Sequence, residues 1–377
     1  MASRGRFELP DPELNRQLEA LLDSVEAKLG KSESREAVRQ LVVAAVRLVS
    51  DRAARGDARL LANAVKELRH AFRVFAPYEH VRKVAVFGSA RTEPGTPAFE
   101  QARRFGERIV EEGWMVITGA GDGIMGAAQL GAGRDDSFGV NIRLPWEQRP
   151  NEVIAGDPKL VNFRYFFTRK LAFLKEAHAI ALFPGGFGTH DEGFEALTLI
   201  QTGRSEILPV VFVDEPGGRY WRDWSRYVDE HLRGAKLISS EDLSLYRVTD
   251  DVESAVRETV DFYRNYHSSR FVGDKLVVRL RHVPDPETLA RLNAEFADLL
   301  TAGPMELSTA LPEEAGEHEA LSRLVLDYDR RRSGRLRMLI DRLNGLAPAP
   351  EPPLAAAPQQ VVAGRLTPEE QRAEDED

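Results

Sequence analysis

Residues 184–192 read Pro-Gly-Gly-Phe-Gly-Thr-His-Asp-Glu and follow directly on the apolar run 177–183. The pattern predicts a buried strand that ends in a glycine-dense turn and runs into a helix over 191–201. Glycines let backbone N–H groups turn inward around an anion, and a helix N-terminus adds its partial positive charge. Gly185, Gly186, Phe187, Gly188 and Thr189 are therefore candidate phosphate-binding residues, with Thr189 able to donate its hydroxyl. Glu192 is the odd member, because a phosphate repels a carboxylate. It is better aimed at the part of a substrate next to the phosphate, such as a sugar. Many Gly-rich strand-to-helix turns only pack a helix against a sheet. Here the spacing is neither the dinucleotide fingerprint nor the Walker loop, since no Gly-Lys-Ser/Thr follows. Upstream, Arg169-Lys170 lies in Phe-Phe-Thr-Arg-Lys on a predicted helix, with Arg169 23 residues before Glu192.

The PGGxGTxxE motif with an Arg-Lys pair at that distance resembles the LOG family, phosphoribohydrolases that cleave the N-glycosidic bond of nucleoside 5′-monophosphates. Some members act on cytokinin nucleotides, and an older name for the family is lysine decarboxylase. The resemblance is strong over roughly residues 84–213, and the long chain is more similar to bacterial members than to the short plant enzymes. It implies that Arg169 and Glu192 form the catalytic pair, with Lys170 a substrate contact or phosphate counter-charge. It also places Glu147, in Leu-Pro-Trp-Glu, at a substrate-contacting position, although a solvated loop glutamate reads equally well. Gly88-Ser89 and residues 119–126 resemble the family's first two strand-to-helix turns. Thr198 and Glu195 lie on the helix after the glycine loop, Glu195 on the same face as Glu192, and both are expected to face the site, with Thr198 a candidate substrate contact. His190 reads better as a loop histidine than as a general acid. This chain departs from the family in Gly119-Ala120-Gly121, where Gly-Gly-Gly is usual, and in Phe166-Phe167, where Met-His is usual. The second departure puts the base preference in question and leaves the Arg-Glu pair intact.

Breaking an N-glycosidic bond builds oxocarbenium character on the ribose and negative charge on the departing base. A carboxylate at Glu192 suits the cation. Arg169, whose guanidinium stays charged, can hold the developing negative charge or orient Glu192. The expected reaction is hydrolysis of AMP or a similar nucleoside monophosphate to free base and ribose 5-phosphate. Alternatives are a cytokinin riboside 5′-monophosphate phosphoribohydrolase and a nucleotide-sensing protein without turnover. No His/Asp/Glu cluster has metal-ligand spacing, and this hydrolysis calls for no metal or other cofactor. A true lysine decarboxylase would need pyridoxal phosphate on a lysine, and neither Lys170 nor Lys175 has a recognisable context for it.

The chain has 377 residues, long enough for about two or three folded units, with 42% hydrophobic and 29% charged residues. Its formal net charge of −9 argues against non-specific binding to nucleic acid or anionic membranes. The absence of cysteine excludes disulfides and thiolate catalysis. No signal pattern or long apolar run is present, so a cytoplasmic protein is expected.

Residues 1–76 show helical periodicity: Leu14, Leu18, Leu21, Leu22 and Val25 form one stripe, Val38, Leu41, Val42, Val46 and Leu48 a second, and Leu60, Leu61, Val65, Leu68 and Phe72 a third capped by Asp57. Residues 77–266 alternate strands (84–87, 115–118, 137–142, 179–183, 210–213) with helices (97–112, 124–131, 166–176, 191–201), which predicts a Rossmann-like, doubly wound parallel sheet. Sites in such sheets lie at the carboxyl ends of strands, where Gly88-Ser89, residues 119–121, 144–147 and 184–189 fall. Residues 267–345 read strand (275–281), helix (286–300), strand (305–308), strand (321–329), helix (335–343), a small α+β unit of ferredoxin-like character with one strand missing. Residues 346–377 are expected to be disordered. The Rossmann-like core and the family's habit of pairing through helices beside the site predict a homo-oligomer.

Overall fold

The computed structural model describes residues 7–144, 149–314 and 316–348. Two compact units are present, Met1–Leu68 and Arg69–Asp377. The first begins with α1 (Pro12–Leu29), capped by the Asp11 carboxylate, which accepts from the Glu13 amide at 2.7 Å. Arg35, at the start of α2 (Arg35–Ser50), reaches Glu19, Asp23 and Glu26 of α1, each at 2.8 Å. The predicted stripes are helical, but of their residues only Leu18 and Leu22 join Leu9 and Val43, which lay outside the stripes, in a buried cluster, with Val42 packed against it. Leu14, Leu21, Leu41 and Leu61 stay exposed. Asp57 is not a cap, because α3 (Arg55–Phe75) begins two residues earlier and places it in the first turn.

The second unit carries β1 (Lys83–Phe87), α4 (Pro97–Glu111), β2 (Met115–Thr118), α5 (Ile124–Ala132), β3 (Ser137–Ile142), β4 (Leu160–Phe163), α6 (Phe166–Glu176), β5 (Ala179–Leu182), α7 (Phe187–Gln201), β6 (Val210–Val213), α8 (Tyr220–Tyr227), β7 (Arg247–Thr249) and α9 (Val252–Asp261). The seven strands form one parallel sheet in the order β4-β3-β2-β1-β5-β6-β7. The chain winds outward from β1 to β4 and then returns to lay β5 on the other side of β1. That reversal opens a crevice at the carboxyl ends of β1 and β5, the switch point where open α/β sheets bind ligands.

Strand alternation divides the core. Val84, Val86, Ala179, Ala181, Val211 and Val213 face one side with Phe105 and Ile109 of α4. Ala85, Phe87, Ile180, Leu182, Val210 and Phe212 face the other with Phe173 of α6 and Ile200 of α7. Both faces are therefore apolar and covered, as a parallel sheet requires. Each fully buried Val, Leu or Phe contributes about 1.5–3 kcal/mol relative to exposure.

Four elements of this sheet escape sequence reading. β4 and β7 are short, and each carries an exposed polar residue, Asn162 or Arg247. α8 and α9 carry their apolar residues among charged ones. One boundary is corrected: α7 starts at Phe187 rather than at 191, so Gly188 and Thr189 belong to its first turn and Glu192 to its second. Glycine is a poor helix former, by about 1 kcal/mol against alanine, which is why the segment reads as a turn. The helix forms because Thr189, Gly193, Ala196 and Ile200 are buried along one side of it.

The small sheet consists of β8 (Tyr266–Val272), β9 (Lys275–Leu280), β10 (Leu300–Ser308) and β11 (Ser322–Tyr328), with α10 (Pro286–Glu295) and α11 (Ser333–Asn344). Its order is β10-β11-β9-β8, antiparallel throughout. β9, α10 and β10 make a split β-α-β unit with β11 between the two strands. The missing strand of the ferredoxin-like pattern is present, but it precedes the rest in sequence: β8 takes the outer place beside β9. The predicted helix over 286–300 ends at Glu295, and the next residues turn into β10. Apolar residues of this sheet and of α11, among them Leu280, Leu326 and Leu339, belong to the same core cluster as one face of the main sheet. Residues 346–348 are described, whereas the rest of the segment expected to be disordered, residues 349–377, lies outside the described residues.

Two arginines lie buried in the small sheet. Glu314, fully buried, accepts from Arg279 at 2.7 Å and from Arg323 at 2.9 Å. Burial opposes its charge, but the bonds from Arg323, the Leu311 amide and Arg279 outweigh it and hold the carboxyl at about 2, below its ordinary 4.5. A carboxylate depressed in this way stabilises the fold above its unfolded pKa and loses that contribution as pH falls. Glu314→Ala is expected to cost about 3 kcal/mol, because it leaves the buried Arg323 without a carboxylate among the described residues and Arg279 with the exposed Glu317 in its place. The difference between wild type and variant, read from urea midpoints, should shrink as pH falls from 4.5 towards 2.

Candidate active site

At the β1/β5 crevice the Ser89 amide donates to the Pro184 carbonyl at 3.1 Å and the Phe183 amide to the Phe87 carbonyl at 2.8 Å. The Ile124 amide donates to the Ser89 carbonyl at 3.0 Å, which brings in the turn after β2. Three of the four predicted strand-end segments thus meet at one edge. The fourth is described only in part, because Pro145–Gln148 lie outside the described residues, and the candidate Glu147 with them.

Gly186 stands at the N-cap of α7 and no side chain caps that end. The amides of Gly186, Phe187 and Gly188 make no hydrogen bond among the described residues, whereas those of Thr189 and His190 donate to the Gly186 carbonyl at 3.1 and 3.2 Å. Three free N–H groups at a helix N-terminus suit an anion. Gly185 is required by space: a Cβ there would lie 2.1 Å from the Thr189 hydroxyl oxygen and 3.0 Å from the Ser89 nitrogen. Thr189 is buried beneath the loop. Phe187, 97% exposed, projects from it.

Arg169 lies on α6 with its guanidinium turned inward. Its Nε donates to the Val140 carbonyl of β3 at 2.9 Å, and its carbon sits 5.4 Å from the Phe173 ring centroid. At Gly119, just after β2, a Cβ would meet Arg169 Nη2 at 2.3 Å, so only glycine leaves the guanidinium room. Burial lowers the Arg169 pKa below its ordinary value, and the nearby Glu192 charge works against that shift. No carboxylate forms an ion pair with it among the described residues. Burial also raises Glu192, to about 7, against the opposing pull of Lys170 and Arg169 and with help from Glu195 and Asp191. Glu192 sits in the second turn of α7, which removes the reading of it as a first-turn residue that complements the helix dipole.

Lys170 does not stand open to a phosphate. Its ammonium bridges Asp191 at 2.7 Å and Glu195 at 2.6 Å, tying α6 to α7. Burial works to lower its pKa, but these bonds outweigh burial and raise it. Thr198 is exposed, and its hydroxyl donates to the Phe194 carbonyl of its own helix at 2.7 Å. The structure therefore brings together Gly88, Ser89, Arg169, Gly185, Gly186, Phe187, Gly188, Thr189 and Glu192. Lys170 stands one layer behind, and Thr198 is two turns further along α7.

Several residues here carried no sequence signal. Asn151 donates to the Gly121 carbonyl at 2.9 Å, and its amide bonds Ala120 at 2.8 Å, locking the turn after β2. Ala120 itself has φ +61°, a left-handed conformation that costs an L-residue about 1–2 kcal/mol, which explains why glycine suits the position. Tyr220 reaches the loop from α8, its hydroxyl donating to the Gly185 carbonyl. Phe166 and Phe167 are half exposed, with Phe167 stacked on Tyr165 at 5.3 Å. A separate cavity of about 580 Å³, lined by Arg204, Glu206, Arg270, Phe271 and Arg330 among others, includes none of the candidate residues.

A parallel sheet with a glycine cradle at its switch point and an Arg–Glu pair beside it defines a Rossmann-like α/β protein. Residues 123–259 match the family described as "possible lysine decarboxylase". The pyrimidine/purine nucleotide 5′-monophosphate nucleosidase of Escherichia coli K12 is 30% identical over 140 residues, covering 35% of this chain and 30% of that protein. The same protein from strains O6:H1 and O157:H7 matches to the same extent. The match spans about a third of this chain and less than a third of those relatives. Over this segment the chain is similar to the LOG family.

Among solved structures, a molybdenum cofactor binding protein from Rippkaea orientalis is 18% identical, with a TM-score of 0.31, over 47% of this chain and 93% of its own. The molybdenum cofactor carrier protein of Chlamydomonas reinhardtii is 19% identical, with a TM-score of 0.32, over 47% and 94%. Likeness of that degree does not carry function. No described helix is long and apolar enough to cross a membrane.

The Glu192 carboxyl is expected to titrate near pH 7 instead of at its ordinary 4.5. Carbon-13 NMR of labelled glutamate, with Glu192→Gln to assign the resonance, checks this. A midpoint at or below 5 would show that the carboxyl is not desolvated.

Proposed function

We propose that the chain hydrolyses the N-glycosidic bond of a nucleoside 5′-monophosphate to a free base and ribose 5-phosphate. The observation that carries this reading is the juxtaposition of Glu192 and Arg169 with a cradle of three free amides. The amides of Gly186, Phe187 and Gly188 take the 5′-phosphate, which seats the ribose over the second turn of α7. Glu192, ionised, faces the sugar as the C–N bond lengthens and stabilises its cationic character or aligns the attacking water. Arg169 keeps its charge throughout and offers its remaining N–H groups to the developing negative charge. The name of the Escherichia coli relatives supports a pyrimidine or purine monophosphate as substrate, and AMP is the first to try.

Decarboxylation of lysine fits these residues poorly. A Schiff-base lysine must lose its proton, whereas the Lys170 pKa is raised by two carboxylates and Lys175 bonds Glu176 at 2.5 Å.

Purified protein given AMP, with free adenine assayed, is expected to turn over, while adenosine is hardly touched. Charge-assisted bonds to phosphate are worth about 1.5–3 kcal/mol each, and adenosine lacks them all. Glu192→Gln and Arg169→Ala should each lose at least about a hundredfold in kcat, with AMP still bound by the glutamine variant. Equal turnover of adenosine and AMP, or a glutamine variant within a few-fold of wild type, overturns the reading. The wild-type rate should rise with pH and level off above about 7, as Glu192 ionises.

We infer further that the chain works as a homo-oligomer. Phe166, Phe167 and Leu171 on α6 and Phe194 on α7 expose apolar surface beside the site, on two helices joined through Lys170. Exposed large apolar side chains on neighbouring helices suit an interaction surface. Sedimentation should give a species of at least twice 42.1 kDa. A lone 42.1 kDa species at micromolar concentration would contradict it.

A further inference from the structure

Tyr220 and His190 lie outside the constellation just described, yet both bear on its glycine loop. The Tyr220 hydroxyl donates to the Gly185 carbonyl. His190 Nε2 lies 2.6 Å from the same hydroxyl. A phenol has one proton to give, and here it goes to Gly185. The His190 contact must therefore be a donation from Nε2–H to the tyrosine oxygen, which fixes the imidazole tautomer. The result is a directed chain from His190 through Tyr220 to the Gly185–Gly186 peptide.

We propose that Tyr220, backed by His190, is a positioning residue that aims and polarises the Gly186 N–H for the substrate's 5′-phosphate. This rests on the phosphate-binding reading of the loop given above. In a trans peptide the carbonyl and the following N–H point in opposite directions, and no described peptide is cis. Drawing the Gly185 carbonyl out towards Tyr220 therefore turns the Gly186 N–H to the opposite side of the loop, where the amide has no protein partner. Hydrogen bonds in a chain strengthen one another, so donation into the carbonyl makes the N–H of the same peptide a better donor. Glycine on both sides of this peptide leaves its plane free to rotate, so an external tether has something to fix.

The tether is itself anchored. Asp214, at the carboxyl end of β6, accepts from the Trp221 amide at 2.9 Å and so holds the first turn of α8, where Tyr220 begins. His190 packs on Trp221 with ring centroids 5.3 Å apart, and Trp221 is fully buried. Tyr220 meets Trp221 edge-on at 4.7 Å. The loop is thus referenced to β6, one strand beyond the crevice.

The test uses the full chain with Tyr220→Phe, which removes one hydroxyl and keeps the ring. KM for AMP should rise about fivefold while kcat stays within about twofold, the size of one hydrogen bond lost from binding. Calorimetric affinity for ribose 5-phosphate should fall by the same factor. His190→Phe keeps a ring against Trp221 and should shift both quantities in the same direction by less; it also stands in if Tyr220→Phe does not fold. If wild type binds ribose 5-phosphate but releases no base from any nucleotide, the proposed activity fails, and the positioning role is judged on the binding data alone. A Tyr220→Phe protein with wild-type affinity and KM overturns the positioning role, as does a fall in kcat alone. A wild type that binds no ribose 5-phosphate overturns it too.

Discussion

The arrangement depends on how a guanidinium is kept beneath the sheet edge with no carboxylate paired to it among the described residues. Arg169 is held by the Val140 carbonyl at 2.9 Å, by the Phe173 ring and by the vacant space at Gly119. The Val140 carbonyl satisfies one N–H of this half-buried guanidinium, and among the described residues no paired carboxylate cancels its charge. Glu192 feels that charge without being captured by it. Were Glu192 clasped by Arg169 in a two-pronged salt bridge, its oxygens would be committed before any sugar arrived.

The sheet supplies the pieces in a definite division of labour. β1 and β5 present the two turns that meet at the switch point, and β2 and β3 present the glycine and the carbonyl that hold Arg169. The two catalytic candidates come from α6 and α7, which flank β5. One strand and its two helices thus connect glycine cradle, cation and carboxylate, so their spacing is set by rigid elements rather than by long loops. A short sequence segment can carry the motif for the same reason: from Arg169 to Glu192 the chain passes through one helix, one strand and the start of the next helix.

That economy is also why the site was legible in the sequence and much of the rest was not. Strands such as Val210–Val213 are apolar, short and bounded by turn residues, and their limits read correctly. β8 reads Tyr-His-Ser-Ser-Arg-Phe-Val, with half-exposed His267, Ser268 and Arg270 around a buried Ser269, because it is an edge strand with only one neighbour. Sequence reasoning therefore missed it and inferred an incomplete ferredoxin-like unit. The start of α7 was misplaced because glycine density signals a turn, whereas burial of one helix face overrides the propensity. Tyr220 was invisible for a different cause: it lies 35 residues from Gly185, and only the placement of β6 beside β5 brings it back.

The electrostatics of α7 explain why one carboxylate among three is singled out. Asp191, Glu192 and Glu195 fall within a turn and a half of one helix, and three negative charges there would oppose each other and repel a phosphate at its N-terminus. Lys170 answers two of them directly, at 2.7 and 2.6 Å, and Glu192 is left over. Because its neighbours are neutralised in pairwise contact, the remaining repulsion on Glu192 is modest, and burial becomes the larger influence on its proton affinity. A carboxylate poised near 7 is ionised enough to act at neutral pH, yet it is poorly hydrated and gains most from an approaching cation. Lys170 thus balances the carboxylates beside Glu192. An Arg-Lys pair that looks like two equivalent charges in the sequence occupies two unlike settings, one guanidinium held by a backbone carbonyl and one ammonium held between two carboxylates.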